Sequence, residues 1–201
     1  VVGPIAWRGY QKRRSIAQAL QAARTAAEEG RRAASAAITD MSQALRAAQE
    51  KAQFDRVSYA DAEVRRLAEL QGDVEQRFVG AQEQLAAAGE KLALRKEPTQ
   101  AEYEAVTQSY AQIVRDISGA RDILAKAEAR RVELDKLAQM APGEVDNAKK
   151  ALADVAERLN ALGTDITQPE AVRRPAEVLV ERAIALLEER RAADAITAAG
   201  A

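Results

Sequence analysis

Between Tyr103 and Leu134 the apolar residues recur at alternating steps of three and four: Tyr103, Val106, Tyr110, Ile113, Ile117, Ala120, Leu124 and Ala127, then Arg131 and Leu134. That spacing keeps one stripe on one face of an α-helix and excludes the two-residue alternation of a half-buried strand. With its flanks the segment spans about 40 residues, on the order of 60 Å of helix at 1.5 Å per residue. A single stripe on so long a helix needs other helices to cover it and leaves the remaining faces in water.

Four further segments carry the same pattern and supply those helices. The first reads Ile16, Leu20, Ala23, Ala27, Ala34, Ala37, Met41, Leu45, Ala48 and Ala52, and the second Ala60, Val64, Leu67, Val74, Phe78, Ala81, Leu85, Ala88 and Leu92. Between them AQFDRVSYAD holds neither Gly nor Pro; Ser58 with Asp61 fits a cap, and one helix running through is the alternative. Arg95-Lys-Glu-Pro98 breaks the pattern, and Thr99-x-x-Glu102 is a capping box that opens the third segment. Met140-Ala-Pro142-Gly is expected to end it, because proline withholds its amide from the preceding turn. The fourth segment follows with Val145, Ala148, Leu152, Val155, Leu159 and Leu162, closed by Gly163. Thr167-x-x-Glu170 opens the fifth, which continues through Leu179, Ala183 and Leu186 beside Val180, Ile184 and Leu187; Pro175 either kinks that helix or marks its start. From Ala192 the period is lost and fraying is expected.

Short connections at 95–99 and 140–143 fold neighbouring helices back antiparallel. The expected fold is therefore all-α: about five helices in elongated antiparallel hairpins, coiled-coil in character and similar to a spectrin-repeat bundle. Its seam is expected at Phe78, Leu85, Tyr110, Ile113, Ile117, Leu124, Leu152, Val155 and Leu159.

Composition narrows the chemistry. Of 201 residues 47% are hydrophobic but only 3% aromatic, and roughly a quarter are Ala, so the seams are thin. Cysteine and histidine are absent, which removes disulfides, thiol nucleophiles, imidazole or thiolate metal sites and any His-dependent triad. The balance of 30 basic and 31 acidic residues lacks the basic excess of a nucleic-acid-binding domain.

The carboxylate pairs Glu28-Glu29 and Glu188-Glu189 read as solvated helix faces, and Asp116 and Asp122, six residues apart, share neither a face nor a chelate. Acids precede bases at i,i+4 in Glu28/Arg32, Asp61/Arg65, Asp122/Lys126 and Asp154/Arg158. Gly72, Gly80 and Gly89 sit inside the second pattern without the strand that a phosphate loop needs, and are expected to serve close helix packing or a bend. Arg173-Arg174 and Arg190-Arg191 read as surface solvation, and Tyr103 and Tyr110 as core.

The opening VVGPIAWRGYQKRR differs in kind. It holds four cations and no acid, so the rest of the chain is net negative. Trp7 and Tyr10 suit a membrane interface, and Arg8, Lys12, Arg13 and Arg14 form the kind of basic cluster found on the cytoplasmic side of a spanning helix. Seven apolar residues are too few to span, since about 20 are required. Residues 1–14 are therefore expected to be the juxtamembrane end of an anchor, and 15–201 an extended helical region.

Several stretches resemble the cytoplasmic helical region of bacterial TPM-domain single-pass membrane proteins. They are Asp40-x-x-x-Ala44-Leu45-x-x-Ala48-x-Glu50-x-x-x-Phe54, Arg77-Phe78-x-x-Ala81-x-x-x-Leu85, ALRKEPTQAEYEAV, and LDKLAQMAPGEVDNAKKALADVAERL. The resemblance covers roughly residues 40–162. It implies one spanning helix, a basic flank and a long cytoplasmic helical region; the family's metal-binding TPM domain lies outside these residues. The layout is also similar to septation ring regulators with spectrin-like repeats.

The expected function is non-catalytic: a membrane-tethered scaffold or adaptor at the cytoplasmic face of the cell membrane, recruiting partner proteins, or further copies of itself, along helical faces. No cofactor, metal, nucleic acid or small-molecule substrate is expected. Direct binding of amphipathic helices to the membrane surface, a soluble coiled-coil assembly, and a hydrolase or metal site built from carboxylates are the alternatives.

Overall fold

The computed structural model describes residues 4–161 and 169–200; for 4–12, 159–160 and 169–173 it describes the backbone alone. Five helices follow in order: α1 Pro4–Ser58, α2 Asp61–Ala93, α3 Gln100–Ala161, α4 Pro169–Glu188 and α5 Ala192–Ala199. The fold is all-α, with no strand among the described residues. The chain divides into two compact units, one of Val1–Glu50 with Glu69–Ala125, the other of Lys51–Ala68 with Lys126–Ala201.

The first unit packs three helical stretches around one seam. Ala34, Ile38, Met41 and Leu45 of α1 meet Val74, Ala81 and Ala88 of α2 and Val106, Tyr110, Ile113, Ile117 and Ala120 of α3. Alanines beside Met41, Tyr110 and the three isoleucines let large and small side chains interdigitate, as dense packing requires. Phe78, Leu85 and Leu124 are half-buried against this cluster. One glycine matters to the fit: a Cβ on Gly30 would lie 3.3 Å from Tyr110 Cβ, so α1 approaches Tyr110 closely only without a side chain there. At Gly72, Gly80 and Gly89 an added Cβ meets nothing within 4 Å, and the expectation of close packing at those three positions is corrected.

The turn between α2 and α3 has the expected capping box. Thr99 N–H donates to Glu102 Oε2 (2.8 Å), Glu102 N–H donates to Thr99 Oγ1 (3.3 Å), and Arg95 pairs with Glu102 at 3.0 Å. The α1–α2 junction is a break rather than a continuous helix, but Ser58 belongs to the last turn of α1 and is not the cap. Tyr59 N–H closes α1 on Asp55 O (2.9 Å), and Ala60 O takes the first bonds of α2 from Glu63 and Val64.

The second unit brings two corrections and decides one open alternative. Pro142 does not end a helix; it lies inside α3, so residues 140–143 form no hairpin and the expected third and fourth helices are one. An interior proline costs about 3 kcal/mol, but Ala141 and Val145 beside it are fully buried while Pro142 faces outward, and that packing carries the helix through. Of the two alternatives for Pro175, a helix start is excluded, because Pro175 lies within α4, which begins at Pro169. Residues from Ala192 form α5 rather than fraying, with Ala195 fully buried. Gly163 and Thr167 lie outside the described residues.

The α4–α5 turn explains that last helix. Arg190 N–H donates to Leu187 O (2.9 Å) and Arg191 N–H to Leu186 O (2.8 Å), with Arg190 at φ 60°. This is the two-bond C-terminal closure that favours glycine in the left-handed position. Arg191 then reaches Asp194 (2.8 Å) in the first turn of α5.

Candidate interaction surfaces

The hairpin tip formed by the end of α1 and the start of α2 is stapled to α3, within the second unit, by polar contacts. Arg131 sits on the α3 stripe and Asp55 on the α1 stripe, so both charges point into the seam, at 6% and 5% exposure. Arg131 meets Asp55 with a fork: Nε donates to Oδ1 at 3.0 Å and a terminal nitrogen to Oδ2 at 2.9 Å. Tyr59, also buried, donates its hydroxyl to Asp135 Oδ1 at 2.6 Å. Arg130 forks onto Glu63 at 3.0 and 2.7 Å and reaches Glu133 at 2.7 Å.

The electrostatics follow from these contacts. The Arg130 hydrogen bonds hold the Glu63 carboxyl below its ordinary range. Burial, then the bond to Asp135, pushes the Tyr59 phenol above its ordinary value. The hydrogen bonds from Arg131 to Asp55 raise the guanidinium further. Asp55 and Glu63 are each neutralised by an arginine, Asp135 accepts from the phenol and the phenol is held protonated, which is the arrangement of a structural clamp rather than of a poised acid and base. Among the described residues no three acidic side chains converge as a metal site.

Two open surfaces hold residues of the predicted stripes. Val155 is 43% exposed rather than buried in the seam, because it lines, with half-buried Leu152, an apolar groove of about 400 Å³ between α3, α4 and α5. Leu179, Val180 and Pro175 form its α4 wall. The other surface is the leading part of α1. Ile16 and Leu20 continue the stripe that is buried from Ala27 onward, yet they are 56% and 37% exposed.

No family model, curated protein or solved structure matches the chain.

The sequence-predicted residues fall in three groups. Tyr110, Ile113 and Ile117 are fully buried in the first unit, with Phe78, Leu85 and Leu124 packed against them. Leu152 and Val155 line the groove of the second unit, and the side chain of Leu159 lies outside the described residues. Arg13 and Arg14 are exposed on α1; the side chains of Trp7, Arg8, Tyr10 and Lys12 lie outside the described residues, although their backbone is helical. No helix among the described residues is long and apolar enough to cross a membrane.

Two features escaped sequence reasoning. The Asp55–Arg131 clamp carried a signal, since each residue occupies a stripe position where a charge requires a partner. The pairing of Glu28 did not: it joins Arg24 at 3.0 Å rather than the expected Arg32, the two being equally spaced along the helix.

Proposed function

We propose that this protein is a non-catalytic helical scaffold, held at the cytoplasmic face of a membrane by its leading basic stretch and offering its helical faces to partner proteins. One observation carries the reading. Helix α1 is unbroken from Pro4 into the first unit, and it presents exposed Arg13, Arg14, Ile16 and Leu20 on a stretch that its own core does not cover. Apolar side chains flanked by cations match the demands of an anionic membrane surface. The resemblance of residues 40–162 to the cytoplasmic region of TPM-domain membrane proteins is in keeping with this layout.

Flotation with vesicles containing phosphatidylserine tests the tether. The chain is expected to float, and Ile16→Asp/Leu20→Asp to remain behind with unchanged helical content; equal flotation of both overturns the reading. A soluble coiled-coil assembly is the second reading, favoured by the seam spacing of Ile16, Leu20 and Ala23. It predicts a concentration-dependent mass in sedimentation that Leu20→Asp abolishes.

A further inference from the structure

The first unit contains a cleft that the scaffold reading does not use. It has a volume of about 420 Å³ and lies between α1, the end of α2, the α2–α3 turn and α3. Four guanidinium groups line it, those of Arg24, Arg31, Arg32 and Arg95, against one carboxylate, Glu28. Glu28 pairs with Arg24 and Glu102 draws on Arg95, each at 3.0 Å. Arg31 and Arg32 have no ion-pair partner among the described residues.

Tyr110 also lines the cleft and supplies an independent observation. Its side chain is 1% exposed, and its hydroxyl is the buried side-chain polar atom left without a hydrogen-bond partner among the described residues. Such groups are rare in folded proteins because they give up water without replacing it. Burial pushes the phenol up, while the charge of the nearby Arg31 acts in the opposite direction. Gly30, one residue before Arg31, is the position whose missing Cβ admits the tyrosine ring. A tyrosine with an unmatched hydroxyl and two arginines without ion-pair partners among the described residues therefore line the same cleft.

We infer that this cleft binds a phosphate monoester, with Arg31 and Arg32 as the cationic clamp and the Tyr110 hydroxyl as an additional donor. Two uncommitted guanidiniums match the nearly two negative charges of a monoester, where a carboxylate would leave one cation unmatched. Planar forks and a hydroxyl suit a tetrahedral group with three acceptor oxygens. The phosphate can belong to a small soluble ester or to a lipid headgroup. The site stands apart from the tether at Ile16 and Leu20, and either can fail without the other.

Titration calorimetry of the full chain with inorganic phosphate and glycerol 3-phosphate tests the site, alongside flotation with phosphatidic acid vesicles. Saturable binding is expected, lost in R31Q/R32Q and unchanged in K149Q/K150Q, which removes the same charge from the second unit. Tyr110→Phe, which removes only the oxygen, is expected to weaken binding about tenfold, the loss of one hydrogen bond to a charged group. Binding of the soluble esters assigns a soluble ligand; flotation sensitive to R31Q/R32Q, with no calorimetric binding, assigns the headgroup. No binding in either arm overturns the proposal, as does equal weakening by K149Q/K150Q or unchanged binding by Tyr110→Phe.

Discussion

Replacing Arg131 with Met removes the cation of the buried clamp and leaves Asp55 at 5% exposure without its partner. Three contacts between 2.9 and 3.3 Å disappear together. Stranding one member of a buried pair costs about 3–5 kcal/mol. Asp55 also lies in the last turn of α1, where the carbonyl end of the helix disfavours a negative charge by about 0.3–1 kcal/mol. With 7–8% side-chain exposure on both partners, solvent screens little of this. Arg131→Met is therefore expected to destabilise by about 4 kcal/mol, a large share of the roughly 5–15 kcal/mol of a typical domain.

The converse substitution separates the pair from its parts. Asp55→Leu leaves Arg131 with only the weak 3.8 Å contact to Glu128, but its long stem can carry the charge outward, so a smaller loss of about 2 kcal/mol is expected. Asp55→Leu/Arg131→Met buries two apolar side chains instead and is expected within about 1 kcal/mol of the parent, because desolvating both charges opposes their attraction. Urea unfolding followed by far-UV circular dichroism gives all three values as a double-mutant cycle. A cost below about 1 kcal/mol for Arg131→Met, or a double variant equal to the sum of the singles, refutes the reasoning.

Other expectations follow from single contacts. Glu63, Glu75 and Glu102 are each held below the ordinary carboxyl range, by Arg130, by Gln49 and Gln71, and by the Thr99 amide and hydroxyl respectively. The folded state binds fewer protons there, so their stabilisation is complete above the unfolded value of about 4.3 and is lost as pH falls through the folded values. An acid titration of thermal midpoint should show that loss, less steep in Glu63→Gln. Gly72→Ala should stabilise by up to about 1 kcal/mol, since a Cβ meets only open space on a helix, whereas Gly30→Ala should destabilise by pressing on Tyr110 at 3.3 Å; chemical unfolding gives both signs. Arg190→Gly should exceed Arg190→Ala in stability by about 1 kcal/mol, because both lose the 2.6 Å bond to Arg56 O and only glycine relaxes the φ of 60°.

What the sequence made readable, and what it hid, divides along the range of the interactions. The stripe from Val106 to Ala120 and the Thr99-x-x-Glu102 cap are decided within a few residues, and the structure places both as read. Pro142 misled because its cost is local while its compensation is tertiary: Ala141 and Val145 are buried by the fold of the second unit, which no window around the proline contains. Gly30 and Tyr110 are 80 positions apart, so neither the required gap nor the unmatched hydroxyl could be read from either segment alone.

The same distinction bears on why a charge pair lies in an otherwise alanine-rich seam. Alanine stripes resemble one another at every heptad, so apolar packing alone discriminates poorly between one alignment of α1 on α3 and another displaced along the helix. Asp55 and Arg131 discriminate strongly, because a displaced alignment buries two unmatched charges, and Tyr59 with Asp135 repeats the constraint one turn further along α3. The Asp55→Leu/Arg131→Met variant separates stability from specificity. If the pair sets the alignment, that variant keeps its unfolding midpoint while its amide spectrum shows more than one set of resonances for residues 51–68; a single set of native resonances would leave the alignment to the apolar residues alone.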